Sequence, residues 1–491
     1  MHKNLRLAFA TAAAATLTGG LLTFSAATAT AADSVHHHEA DFNGDGYGDL
    51  AYSAGSSTVG GKKGAGNIVA LYGSANGVTA TGSRSFSQNS TGVPGTAETN
   101  DYFGWINAYG DFNSDGYDDL AVSAEAEDVD GDTDGGTVLI LWGSSSGLSG
   151  GTTIKDPSPS SHDRWGSVLA AGDFDGDGTE DLAVGSSSST IYVFKGGISK
   201  TGTYGGRYTI KPAIQSGGDT GPLNLTAGDV NGDQRTDLVV DGFETDSDYG
   251  WNTNFYVPGT ASGLDVDYAQ EVKRGVITGI GDVNGDGYGD IVTGEHWDPA
   301  KDASEPSIPE SVTGGKVTVT YGSADGPTTT AAVSQNTGNV PGSSERGDWF
   351  GSELSLGDIN GDGYQDLVVT APGENLNGVV NTGAVTVLYG SASGMNTSSG
   401  YQYFAQSTAG VPGSDEKNDY FGSEVKLTDV NGDGTSDLTV GALGENTGNG
   451  SVTYLPSDGS KITTTGARSL STSSVGVSTD AYPQFGANAA N

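Results

Sequence analysis

Oxygen-bearing side chains stand at alternate positions in seven places along this chain. Each copy has the form D-x-[ND]-x-D-x-x-x-D, beginning at Asp41, Asp111, Asp173, Asp229, Asp282, Asp358 and Asp429. Side chains at positions 1, 3, 5 and 9 can face a common centre only if the backbone curls around it. Gly at position 6 permits that curl, and the carbonyl of position 7 then turns inward as well. The result is a hard-oxygen cage suited to Ca2+, which takes about 6–8 oxygens at about 2.3–2.6 Å, rather than to Zn2+.

The candidate ligands follow position by position, with position 7 contributing its backbone carbonyl. They are Asp41, Asn43, Asp45, Tyr47 and Asp49; Asp111, Asn113, Asp115, Tyr117 and Asp119; and Asp173, Asp175, Asp177, Thr179 and Asp181. The later loops supply Asp229, Asn231, Asp233, Arg235 and Asp237; Asp282, Asn284, Asp286, Tyr288 and Asp290; Asp358, Asn360, Asp362, Tyr364 and Asp366; and Asp429, Asn431, Asp433, Thr435 and Asp437. Up to seven Ca2+ ions are expected. The loop at Asp229 is the doubtful one: it lacks Gly at position 6, and Arg235 can replace part of the ion's charge. An EF-hand would need Glu at position 12 between two helices. Here position 12 is Tyr52, Val122, Val184, Val240, Thr293, Val369 or Val440, each within an apolar run of strand type. A metal-free Asp/Asn/Gly turn is the bland alternative for any single copy; seven in register favour the cage.

The elements that must hold these loops also recur. Each loop runs into a short apolar segment such as Leu120-Ala121-Val122, followed by a connecting loop and an alternating segment such as Val138 to Trp142 or Val385 to Tyr389. Turns such as Gly73-Ser74-Ala75-Asn76-Gly77 close the unit. These are signals of antiparallel strands and hairpins. Eight residues before the first Asp, four units carry an aromatic followed by Gly: Phe103-Gly104, Trp165-Gly166, Phe350-Gly351 and Phe421-Gly422. About four strands per unit and seven units predict an all-β, seven-bladed propeller of some 28 short strands, an architecture that leaves only short protected edges. The first loop has no aromatic-Gly strand before it, while Phe485-Gly486 has no loop after it. The C-terminal strand is therefore expected to complete the blade begun at the N-terminus and close the ring, in preference to a linear solenoid.

Composition bounds the rest. The chain has 491 residues, 81 of them Gly and none Cys, and 61 acidic against 21 basic side chains give a net charge of −40. Such acidity argues against nucleic acid and anionic membrane surfaces as partners, and the lack of Cys excludes disulfide frameworks and thiol catalysis. The seven loops hold 24 of the 61 acidic residues, so much of the charge reads as ligand chemistry; seven divalent ions would bring −40 to −26. Lys3 and Arg6, the Ala/Leu/Thr-rich stretch from Leu7 to Phe24, and A-x-A sites at Ala27 to Ala31 have the pattern of a secretory signal. Residues 1–32 are assigned to it and 33–491 to the propeller; the mature chain is expected to be secreted, extracellular and monomeric, with no membrane span. His36-His37-His38 is a solvated run or a transition-metal site.

Taken together, the aromatic-Gly strand, the D-x-N-x-D-G-x-x-D loop and a following stretch closest to "GAP" in Thr370-Ala371-Pro372-Gly373 resemble the FG-GAP repeats of integrin α-subunit heads and related secreted proteins. The resemblance covers nearly the whole mature chain. It departs in the fourth unit, which has no aromatic-Gly strand, and in the fifth, which has Arg274-Gly275. It implies a calcium-binding β-propeller that meets an extracellular protein or carbohydrate on the rim opposite the acidic loops. Proteins of the family also occur beside or within phospholipases and polysaccharide-degrading enzymes. An extracellular hydrolase or lyase, of esterase, phospholipase or polysaccharide-degrading type, with its site on the loop-rich rim, is therefore the alternative.

On that rim, Trp251, His296 and Trp297 lie outside the repeat pattern and are the candidate ligand-binding residues, as aromatic platforms or as packing under long loops. Asp128, Asp130, Asp132 and Asp134 form either an extra cation site or a solvated acidic loop. Gly143 to Gly147 matches a G-x-S-x-G elbow but occupies a repeat hairpin, and Arg346-Gly347-Asp348 shares only its Asp with the aligned units. No catalytic residue is singled out, and a binding module is favoured over an enzyme.

Overall fold

The structure is a computed structural model that describes residues 39–218, 220–247, 249–301 and 306–490. The expected secretory signal and His36 to His38 lie outside the described residues. Seven antiparallel sheets hold 27 strands. Six sheets have four strands, in sequence order from the innermost outward. Blade 2 is typical: Asn107–Gly110, Asp119–Ala124, Thr137–Trp142 and Ser149–Ile154. The innermost strands contact one another in turn, and residues from all seven blades line a central cavity of about 260 Å³. The protein is a seven-bladed β-propeller with almost no helix.

Each blade is sandwiched between two others, which explains why its middle strands read as continuous apolar runs rather than as half-buried alternation. In blade 1, Ile68 and Ala70 pack toward blade 2 with Phe103, Leu120 and Val122. Leu50, Tyr52 and Val69 pack the other way, against Val452 and Tyr454 of blade 7. The aromatic before Gly is the wedge between blades: Phe103, Phe350, Phe421 and Phe485 are fully buried and Trp165 nearly so. The following Gly has positive φ, 85° at Gly104 and 90° at Gly422, a conformation costly for residues with a Cβ.

Ring closure is shared between the two ends of the described chain. Blade 1 has three regular strands, Leu50–Ala54, Asn67–Leu71 and Ser83–Phe86. Its innermost position is filled at one end by Ala40, whose carbonyl accepts from the Asp49 N–H at 2.6 Å. At the other end lies the C-terminal segment: Gly486 N–H donates to Ser53 O at 3.1 Å, Ser53 N–H to Asn488 O at 2.8 Å, and Ala490 N–H to Ala51 O at 2.9 Å. Phe485 meets Tyr52 edge-on at 6.3 Å. The twenty-eighth strand is thus supplied in two pieces, which is why only 27 are regular.

The acidic loops are joined to one another around the ring. The N–H of position 8 donates to the position-1 carbonyl of the preceding loop: Asp118 to Asp41 (3.1 Å), Thr236 to Asp173 (2.9 Å), Gly289 to Asp229 (3.2 Å), Gln365 to Asp282 (2.9 Å) and Ser436 to Asp358 (2.7 Å). Gly48 makes the same bond across the junction of the first and last blades, to Asp429 at 2.9 Å. A change in one loop is therefore transmitted directly to its neighbour.

Candidate metal centres and the opposite rim

All seven acidic loops connect the innermost to the second strand of a blade, so they share one rim. Their internal geometry repeats. In the sixth loop, Asp358 accepts from the N–H groups of Gly361 (2.7 Å), Asp362 (3.3 Å) and Gly363 (2.9 Å). Asn360 Oδ1 accepts from Asp362 N–H (2.9 Å), and Asp362 Oδ1 from Tyr364 N–H (3.1 Å). The same bonds fix the loops at Asp41, Asp282 and, in large part, Asp429. Position 6 requires positive φ: 82° at Gly46, 86° at Gly363, 87° at Gly434. In the fourth loop Gln234 occupies it at φ 67°, so the loop keeps its shape at the expense of backbone strain.

The position-9 carboxylate is the anchor. Asp366 is fully buried and takes the Ile359 N–H at 3.0 Å and, from the hairpin after the third strand, the Gly390 N–H at 2.9 Å. Asp49, Asp237 and Asp290 do the same. Asp437 takes Ser457 N–H and Tyr454 OH, and Asn113 and Asn431 turn their NH2 groups onto Asp119 and Asp437. Burial pushes these acids up, Asp49 and Asp119 to about 8 and Asp181, Asp237, Asp290, Asp366 and Asp437 to about 7. Nearby loop carboxylates add to the rise.

This donor set fits a hard divalent cation. It is all oxygen, its acids are mutually repelling, and Asp181 Oδ2 is buried with no partner. Among the described residues, Asp173, Asp175 and Asp177 bring three acidic oxygens within 4.8 Å of one another. In two loops a partly buried basic side chain is paired with one of the acids. Lys195 Nζ is ion-paired with Asp175, and Arg235 Nη1 lies 2.9 Å from Asp233 Oδ2. Arg235 was visible in the motif itself; Lys195, twenty residues beyond Asp175, is brought in by the third strand Ile191–Lys195.

The opposite rim carries the remaining candidates in separate settings. Trp251, half-buried, stacks on Tyr249 with centroids 5.2 Å apart and planes at 19°, and Tyr249 is 63% exposed. Trp297 lies edge-on to His296 at 5.8 Å, and burial lowers the His296 pKa. A second stacked pair absent from the sequence candidates, Trp349 and Tyr420, has centroids 6.2 Å apart and planes at 17°. Its signal was available: both residues precede the repeat Phe, at Phe350 and Phe421. Asp128, Asp130, Asp132 and Asp134 do not converge into a three-acid group. Asp348 is 1% exposed and Arg346 is turned onto Asp298 and the Pro299 carbonyl, so the Arg-Gly-Asp tripeptide is not displayed. Ser145, the central serine of the G-x-S-x-G segment, is exposed in the hairpin turn, which the flanking Ser144 Oγ closes by bonding the Gly147 carbonyl at 2.8 Å.

Fold and repeat geometry define the class, a β-propeller built from one repeated unit with an acidic loop in each blade. The family comparison agrees. The model described as "FG-GAP repeat" matches residues 103–141, 350–388 and 421–455, and that described as "FG-GAP-like repeat" matches 173–240; the chain belongs to the FG-GAP β-propeller family. It is similar to phosphatidylinositol-glycan-specific phospholipase D of Bos taurus, 32% identical over 155 residues, and of Homo sapiens, 33% identical over 155 residues. Each match takes in 28% of this chain and 18% of the relative, so the chain spans about a fifth of the length of these curated relatives. Among solved structures it is similar to a mutant of AofleA from Arthrobotrys oligospora, with TM-score 0.33 and 10% identity, covering 74% of this chain and 86% of the other. It is also similar to a rhamnogalacturonan lyase from Bacillus licheniformis, with TM-score 0.26 and 12% identity, covering 88% and 62%.

Proposed function

We propose that this protein is a secreted, calcium-loaded propeller that recognises an extracellular glycan or protein through the rim opposite its acidic loops. Ca2+ held by the loops has a structural role: it neutralises carboxylates that otherwise repel one another, and so ties the inner strands of adjacent blades together. The observation that carries the recognition reading is the pair of aromatic stacks, Tyr249–Trp251 and Trp349–Tyr420, with Tyr249 63% and Trp349 38% exposed. Aromatic faces of this kind suit a sugar ring or a partner's anchoring side chain, and a rigid propeller is a natural scaffold for recognition loops.

A glycan array probed with the calcium-loaded protein tests this reading. Saturable binding that is lost in Trp251→Ala or Trp349→Ala supports it; absence of binding to glycans, together with absence of any protein bound from the native extracellular milieu, rejects it. The second reading, an extracellular hydrolase or lyase, is favoured only by the 155-residue similarity to a phospholipase D. It predicts turnover in an esterase, phospholipase and polysaccharide-lyase screen. Both histidines in the described residues are committed to packing: His162 stacks on Trp165 at 5.8 Å, and His296 lies against Trp297. The fold leaves the ligand open.

A further inference from the structure

Three blade junctions carry a second repeated constellation, on the rim away from the acidic loops. Gln88, Asp101 and Glu127 stand at the first junction, Gln335, Asp348 and Glu374 at the fifth, and Gln406, Asp419 and Glu445 at the sixth. The spacing is the same each time, 13 residues from Gln to Asp and 26 from Asp to Glu. In each, the Gln Nε2 donates to the Glu carboxylate, at 2.6, 2.8 and 2.5 Å. The Asp carboxylate is held from behind by one backbone N–H, from Glu98, Glu345 or Glu416.

All three Gln and all three Asp are buried, none more than 4% exposed. A Val-Pro-Gly turn lies over each amide: a Cβ on Gly95, Gly342 or Gly413 would come within 2.7, 2.6 or 2.9 Å of the Gln Nε2. Yet oxygens are left over. Gln88 Oε1, Gln335 Oε1, Gln406 Oε1 and Asp348 Oδ1 are buried without a hydrogen-bond partner, and among the described residues no ion pair involves any of the six acids. Two carboxylates thus stand at each junction beside a buried amide oxygen that has no partner, a polar atom that a ligand would satisfy.

The junction between blades 7 and 1 is an internal control. Its equivalent positions are Thr472, Pro483 and Ser57. All three members of the constellation are replaced together, and the hydroxyls are satisfied: Thr472 Oγ1 bonds Asn449 O at 2.6 Å, and Ser57 Oγ bonds Asn67 Oδ1 at 2.8 Å. This loop, two residues shorter between Thr472 and Pro483 than its counterparts and without the Val-Pro-Gly turn, closes without the acids.

We infer that each Gln–Asp–Glu constellation is a binding site for a hard divalent cation, Ca2+ in an extracellular setting, held by two carboxylates and the amide oxygen and separate from the D-x-N-x-D loops. Two carboxylates balance one divalent charge, and oxygen-only donors select Ca2+ over softer metals. The inference does not rest on occupancy of the acidic loops, because its test is a difference.

Bound Ca2+ is counted by equilibrium dialysis on the full chain and on Asp101→Asn/Asp348→Asn/Asp419→Asn. The folded triple variant should bind three fewer ions per chain. A folded triple variant with an unchanged count overturns the inference. Should that variant not fold, the pair Asp348→Asn/Glu374→Gln removes like charges from one junction only; it should bind one ion fewer, and an unchanged count again overturns the inference. The reciprocal change, Ser57→Glu/Thr472→Gln/Pro483→Asp, should add one ion.

Discussion

Loops 3 and 4 differ from loops 1, 5 and 6 in their source of positive charge. In loop 3 the ammonium of Lys195 is paired with Asp175, and in loop 4 the guanidinium of Arg235 is paired with Asp233. Loops 1, 5 and 6 have the same Asp framework and the same backbone hydrogen bonds, but no ion pair to a basic side chain among the described residues. On the proposed reading, one turn geometry is balanced either by a basic side chain of the protein or by a cation from solution. Loop 2 is intermediate. Lys200, 55% exposed at its side chain, reaches Asp115 at 3.3 Å from the next blade, and so exposed a pair contributes little.

That contrast can be broken by changing one loop of each kind. Asp362→Asn in loop 6 and Asp233→Asn in loop 4 are matched changes at position 5. At calcium tenfold above its dissociation constant, an occupied loop contributes about 1.4 kcal/mol by mass action. Denaturant melts with and without Ca2+ should therefore show that Asp362→Asn loses about that much calcium-linked stability, and that Asp233→Asn loses almost none. A smaller effect is expected from Gln234→Gly, which relieves the positive φ in loop 4 and should stabilise the protein by about 1 kcal/mol in melts with or without calcium. Lys195→Met should strengthen Ca2+ binding at loop 3 by up to about fivefold in calorimetric titration, the equivalent of removing one competing charge worth up to about 1 kcal/mol. Smallest for stability is Trp251→Ala on the opposite rim. It should shift the melt by no more than about 0.5 kcal/mol and leave calcium binding unchanged, while abolishing glycan binding.

The architecture was largely legible in the sequence because a propeller repeats its constraints. The spacing of the Asp loops gave the blade number, and the aromatic-Gly pairs marked the wedges between blades. Phe485-Gly486, without a following loop, pointed to the closing strand, which the bond between Ser53 N–H and Asn488 O makes explicit. What the repeat did not contain was less accessible. Lys195 reaches Asp175 only after a hairpin is formed, and nothing in the local spacing marks it. Trp251 and Trp297 stood out by falling outside the pattern, whereas the Trp349–Tyr420 stack was hidden by falling within it. The four alternating acids from Asp128 to Asp134 suggested a cage by spacing alone. They do not form one: Asp128 Oδ1 instead accepts the Asp134 N–H at 3.0 Å, and the loop folds back on itself through a bridge between Val129 and Asp132. Alternation makes a cage only where the backbone curls, and the glycine placement differs here.

The central claim is that the acidic loops are calcium sites on which the ring depends. Thermal unfolding of the mature chain in saturating Ca2+ and in excess EDTA tests it most directly. With about 1.4 kcal/mol from each occupied loop at tenfold excess, loops 1, 5 and 6 contributing most, and about one degree per kcal/mol for a chain of this size, chelation should lower Tm by about four degrees or more, reversibly on return of calcium. Superimposable melting curves in Ca2+ and EDTA would contradict the account.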